Sequence, residues 1–154
     1  MGDGKLERVS AYSAVVAVHI IAAFAAYGLP AAYPLLLPWL RRHHPEALPG
    51  VHAIQYRLNL YLTGPFTVVL LAAGLYLATA HDWWSRPFTA FGVVAVALIA
   101  VVGGAVIVPA SRELGALDPA SDTYGRLFRR YLVAEIFLAA VVMLTIVAMA
   151  VKPG

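Results

Sequence analysis

A 154-residue chain that is 62% hydrophobic, only 12% charged and of mean hydropathy +0.80 has too little polar surface to clothe a water-soluble domain, so it belongs in a membrane. Its net charge of +3 sits mostly in short segments between long apolar stretches, a membrane-side signal with attraction to anionic lipid rather than a nucleic-acid patch. The absence of cysteine excludes disulfides, thiolate metal sites, palmitoylation and thiol catalysis.

Crossing a hydrocarbon core takes roughly 20 apolar residues at a rise of ~1.5 Å each, and such runs must be helical to satisfy their own backbone N–H and C=O groups. The expected helices cover residues 9–40, 51–80, 88–112 and 124–151, within one membrane domain over 1–154. Short connections predict an all-α polytopic fold, a four-transmembrane-helix antiparallel bundle. Both termini and the second connection then lie on one side of the bilayer, side A, and the other two connections on side B.

In the first helix, Lys5 and Arg8 before an apolar run have the look of a secretory signal. A signal's apolar region is ~7 to 15 residues, however, and this one continues through Leu35, Leu36 and Leu37. Leu6 stands where myristoylation needs Ser or Thr, so no lipid anchor is expected. Ala22, Ala26 and Gly28, like Gly74, Gly92, Gly103 and Gly104 further on, offer small surfaces of the kind that let helices pack in lipid. Pro30, Pro34 and Pro38 share one face and predict a kinked or unwound side B end, and Pro65 predicts a bend near the start of the second helix.

Residues 41–59 are the most polar part of the chain, yet Val51, Ile54, Leu58 and Tyr61 keep helical spacing. The second helix should therefore begin outside the core near Pro49 and enter the membrane after Asn59. After the third helix, Asp118 to Ser121 reads as a turn, with Asp122 and Thr123 as the cap of the last helix. Trp39, Trp83 and Trp84 mark the expected interfaces. Arg41, Arg42, Arg57, Arg112, Arg126, Arg129 and Arg130 fall on side B, against Lys5, Arg8, Arg86 and Lys152 on side A. This seven-to-four bias predicts a multi-pass protein of the inner (cytoplasmic) membrane with both termini outside.

Ionisable residues inside the apolar windows are the candidate functional positions, since each is costly unless paired or facing a wet cavity. Glu135 in the fourth helix and Arg57 with Asn59 in the second all approach from side B. They read either as a structural Arg57–Glu135 pair or as the wall of a polar pocket that holds an anionic or protonatable ligand. His19, deep in the first helix, needs a partner for at least one ring nitrogen: Tyr12, Tyr27, Tyr76 or a backbone carbonyl. It reads as a packed, hydrogen-bonded residue or as an axial haem or metal ligand. His52 and His81 lie about 30 and 13 Å from its level, so a haem would be five-coordinate, bridged between subunits, or held with a second ligand such as Met143 or Met149. His43 and His44 read as solvated loop residues or as a weak surface copper or zinc site.

His19 followed by Gly28, the phrase Gly64-Pro65 with Leu71-Ala72-Ala73-Gly74-Leu75-Tyr76, Pro109 closing the third helix, and a last helix ending Met149-Ala150-Val151-Lys152-Pro153 resemble the DUF2269 group of integral membrane proteins over nearly the whole chain. That group is similar, more distantly, to the CopD-like copper-resistance proteins and to the HemJ-like protoporphyrinogen oxidases. The resemblance implies a four-helix membrane fold and a b-type haem role for His19. One departure stands out, in that Ala26 occupies the place of a common Trp two residues before the glycine.

Three function classes follow. The first is a membrane protein binding haem or another small ligand, with a HemJ-like haem-dependent oxidoreductase as its enzymatic form. The second is a CopD-like metal or small-molecule transporter, for which helices broken around Pro30 and Pro34 are expected. The third is a structural or accessory subunit whose small-residue stripes meet a membrane-protein partner or a second copy. No glycine-rich phosphate loop, nucleophile elbow or paired intramembrane carboxylates point to other chemistry.

Overall fold

The computed structural model of the protein describes residues 3–151, with side chains described from residue 11; the side chains of Lys5 and Arg8, and Lys152 and Pro153 altogether, lie outside the described residues. Within them every regular element is helical: α1 (Asp3–Tyr27), α2 (Tyr33–His43), α3 (Leu48–Leu58), α4 (Gly64–Ala80), α5 (Pro87–Val102), α6 (Val108–Leu114) and α7 (Asp122–Val151). Short 3₁₀ turns, Pro30–Ala32 and Pro45–Ala47, precede α2 and α3, while π-helical turns, Asn59–Thr63 and Gly103–Ile107, join α3 to α4 and α5 to α6. Three continuous helical segments, Pro45–Ala80, Pro87–Leu114 and Asp122–Val151, are long and apolar enough to cross a membrane, and the pair Ala11–Tyr27 and Pro30–His43, bent by 41°, makes a fourth if counted as one span. The chain is accordingly a multi-pass membrane protein.

The first helix, expected over 9–40 with a kinked or unwound side B end, is broken into two helices at Gly28 and Leu29. Its end follows from Pro30, which has no N–H to give to the carbonyl of Ala26. α1 closes with the Gly28 N–H donating to the Phe24 carbonyl at 2.8 Å, and the Ala26 carbonyl takes a bond from the Thr63 hydroxyl of the next span at 3.3 Å. A proline also stands just beyond each π turn, at Pro65 and Pro109. There the N–H of Gly64 reaches back to Asn59, and that of Val108 to Gly103. Such widened turns let a helix run on past a proline without a sharp break.

α1 lies along α4, α5 along α7, α3 against α6, and α2 crosses to α7. The His19 ring approaches α4 so closely that a Cβ on Gly74 would stand 3.1 Å from its Cε1, so this glycine sets the separation of the two helices. The best-packed region is the side B end, where Leu37, Leu48, Leu114, Tyr124 and Tyr131 are fully buried. A smaller cluster of Ala22, Ala26, Tyr27, Leu70 and Ile99 lies nearer mid-span. Outward residues at these depths stay large and apolar, among them Ile20, Phe24, Val68, Val94 and Val133. Lipid tails can cover such surfaces as well as another helix could.

At the start of α7 the cap differs from the expected Asp122 and Thr123. The Ser121 hydroxyl accepts the N–H of Tyr124 at 3.2 Å, and Asp118 instead builds the preceding turn by accepting the N–H of Ala120 at 2.9 Å. Ser121 has the position that lets a short side-chain oxygen reach the third backbone donor of the helix.

Candidate functional site

The break after α1 and the two π turns come to one level and surround a cavity of about 490 Å³. Tyr27, Pro30 and Ala31 border it from the first span, Asn59, Leu60, Thr63, Gly64, Thr67 and Val68 from the second, Ile99, Ala100, Gly103, Gly104, Ile107 and Val108 from the third, and Glu135, Leu138 and Val142 from α7. Gly103 and Gly104 face it with no atom within 4 Å of where a Cβ would be, so the missing side chains leave part of the space. Leu60, Gly64 and Val68 on one flank and Ala100 and Gly104 on the other are exposed. The cavity thus has a mouth between α4 and α5, at the depth of the membrane-spanning segments.

Most polar atoms of the wall are already engaged. The Thr67 hydroxyl donates to the Thr63 carbonyl at 2.7 Å, so it must accept the Tyr27 hydroxyl, 3.0 Å away. Two groups are left for a guest. Glu135 is buried, at 4% exposure, yet borders the cavity, and the buried amide nitrogen of Asn59 has no partner among the protein atoms. Tyr131, one turn before Glu135, carries a fully buried hydroxyl that interacts with the Glu135 carboxylate without forming a hydrogen bond of ordinary geometry.

Of the residues expected at a site, Asn59 and Glu135 meet at this cavity and Arg57 does not. Arg57 is exposed, and among the described residues no ion pair joins it to Glu135. Its position two residues before Asn59 turns it some 200° around the helix, away from the α7 seam. With Arg57 outside, no cation lines the cavity, so an anionic ligand would find no counter-charge there.

His19 lies elsewhere. Its Nδ1–H donates to the Leu70 carbonyl of α4 at 3.1 Å, and it is not among the cavity-lining residues. Those residues include no imidazole and no thioether, and Met143 is exposed, so the cavity does not fit a haem held through the expected ligands. Among the described residues no group of three or more His, Asp or Glu side chains is placed to hold a metal ion. His43 and His44 pack beside Trp39 at ring distances of 5.0 and 5.6 Å, and His44 Nδ1 lies 3.3 Å from the exposed Glu46 carboxylate.

A second polar group was not anticipated from the sequence. His52 is fully buried at the side B end, with Nδ1 at 2.7 Å from Gln55 Oε1 and Nε2 at 3.0 Å from the Tyr124 hydroxyl. The carbonyl-type oxygen of Gln55 can only accept, so the imidazole proton is on Nδ1 and Tyr124 donates to Nε2. The signal was present as spacing: His52, Gln55 and Asn59 share one helical face, as do Tyr124, Phe128, Tyr131 and Glu135.

No family model, curated protein or solved structure matches this chain. The resemblance to DUF2269 proteins and their CopD-like and HemJ-like relatives gains no support from these comparisons.

Proposed function

We propose that the protein is a four-span antiparallel bundle that binds a lipid-soluble small molecule in the cavity beside Glu135. The observation that carries this reading is the convergence of three helix irregularities on one space with a buried carboxyl group at its end. Irregular backbone in a spanning segment is tolerated where it is buried in protein or lines a cavity, and π turns recur at functional sites. The mouth faces hydrocarbon, so the ligand arrives from the bilayer with an apolar body. The cavity wall offers Glu135 and Asn59, so the ligand carries one basic or hydrogen-bonding group.

The test is the small-molecule content of the purified protein. A lipophilic compound should co-purify with the wild type in detergent and be displaced by competing lipophilic amines. Its retention by Glu135→Gln should fall while the fold is kept. Equal retention by wild type, Glu135→Gln and a cavity-filling Gly104→Leu would sink the reading.

A transport role is the second reading, favoured by one feature. The first span is interrupted beside the cavity, and transporters place their sites at such interruptions. Flux of the same ligand across proteoliposomes separates the two.

A further inference from the structure

We propose that the corner where the end of α2 meets the start of α7 binds the headgroup of a net-anionic phospholipid, with Arg41 and Arg129 as its phosphate ligands. The site is separate from the cavity and requires nothing bound there.

The corner follows from spacing on two helices. Tyr33, Leu37 and Arg41 recur every four residues on α2, so the arginine continues a face whose first two members are buried in the side B core. On α7 the rings of Tyr124 and Phe128 stack at 5.7 Å with 20° between their planes. The Arg41 guanidinium lies over this pair, 4.8 Å from the Phe128 centroid and 5.9 Å from that of Tyr124. Gly125 leaves the room for it, since a Cβ there would stand 3.4 Å from Arg41 Nη2. Two aromatic faces hold the cation in place without consuming its N–H donors. Arg41 is nevertheless exposed, two residues after the interfacial Trp39, so a positioned guanidinium offers its donors at the membrane boundary.

The protein supplies no counter-charge. Among the described residues no carboxylate forms an ion pair with Arg41 or Arg129, and Asp122 stands a turn outward of Gly125, toward water. A planar guanidinium fixed in this way suits two-point hydrogen bonding to phosphate oxygens.

Arg129 is exposed and follows Gly125 by four residues, on the same face of α7 one turn deeper. Helical side chains tilt toward the N-terminus of their helix, which for α7 is side B, so Arg129 is directed back toward the level of Arg41. Below it, Val133 and Ile136 carry the same face into the spanning depth and are 61% and 50% exposed. A phosphate at the arginines with acyl chains along Val133 and Ile136 has the polarity profile of a phospholipid. A soluble phosphate would leave the apolar half of this surface unused. Two cations with no carboxylate beside them also favour a net negative headgroup, because the ammonium of a zwitterionic lipid would be repelled there.

The experiment is native mass spectrometry of the delipidated protein, titrated with phosphatidylglycerol, with phosphatidylcholine of the same acyl chains, and with glycerol 3-phosphate. The expected result is a first phosphatidylglycerol adduct about tenfold tighter than that of phosphatidylcholine, weakened about tenfold by Arg41→Gln and by Arg129→Gln. Arg57→Gln removes one positive charge from the same membrane side but away from α7, and should bind as the wild type does. Glycerol 3-phosphate at the same concentration should displace nothing. Equal weakening by Arg57→Gln would reduce the effect to diffuse surface charge and overturn the site. Equal affinity for the two lipids would overturn it as well, and displacement by glycerol 3-phosphate would give the arginines to a soluble phosphate instead. Arg129 lies on the exposed face, so Arg129→Gln keeps the fold and decides the question even where Arg41→Gln loosens α2 from α7.

Discussion

The Nδ1–H of His19 donates to the main-chain carbonyl of Leu70 at 3.1 Å, tying α1 to α4 through an oxygen that a regular helix already uses. The bond assigns the proton to Nδ1, and Gly74 makes room for the ring edge. His19 is therefore a packing element of the helix pair with the most extensive contact in the molecule.

His19→Ala should lower stability by about 1 kcal/mol, in keeping with hydrogen bonds measured between helices in bilayers, and should leave ligand retention unchanged. Gly74→Leu should cost more, because its side chain meets the imidazole and has to part α1 from α4. Thermal or denaturant unfolding in one detergent ranks the two. A larger effect from His19→Ala than from Gly74→Leu would contradict the packing role.

Gly104→Leu should fold as the wild type does, because no atom lies within 4 Å of the Cβ position, and should reduce bound ligand several-fold by occupying the space. Gly92→Leu offers the contrast. Its Cβ would meet the terminal methyl of Met149, the movable end of a flexible side chain, so any loss should be a modest one of stability at the α5–α7 contact, away from the cavity, with ligand content kept. Paired measurement of melting temperature and ligand content distinguishes the outcomes.

Pro65→Ala restores the missing N–H one residue beyond Gly64 and removes the clash that the Asn59–Thr63 turn absorbs. The turn should tighten toward α-helix and turn Asn59 relative to α7. The expected outcome is equal or higher thermal stability together with weaker ligand binding. Improved binding would show that the π turn is not what shapes the cavity.

Ser121→Ala removes the oxygen that accepts the Tyr124 N–H and should destabilise the protein by about 1 kcal/mol. Asp122→Ala should do less, since its side chain caps nothing among the described residues. Unfolding midpoints compared between the two variants check the assignment, and equal losses would refute it.

Much of this architecture was legible from composition. Three uninterrupted runs in a chain of mean hydropathy +0.80 leave no alternative to spanning helices, and Pro30 announced the break in the first. Asn59 and Glu135 stood out because polar groups are scarce in such runs. Arg57 misled because proximity in sequence and depth said nothing about azimuth, and two residues along a helix is more than half a turn. His52 went unrecognised because it lies in the polar segment before the core, where a histidine reads as solvated. Only the packing of α3 against α6, with the Tyr124, Phe128 and Tyr131 rings of α7 closing over the imidazole, buries it.

Sequence alone determined that the chain is helical, that it crosses a membrane and roughly where each span lies, because lipid leaves a backbone no other way to satisfy its hydrogen bonds. Tertiary structure decided which side chains meet. Around an apolar span the faces are nearly equivalent by hydropathy, so rotation is set by small-residue contacts such as Gly74 with His19 and by the proline-induced turns, which act only once neighbouring helices are in place. Those rotations bring Glu135 and Asn59 to one cavity, turn Arg57 outward and close His52 against Tyr124.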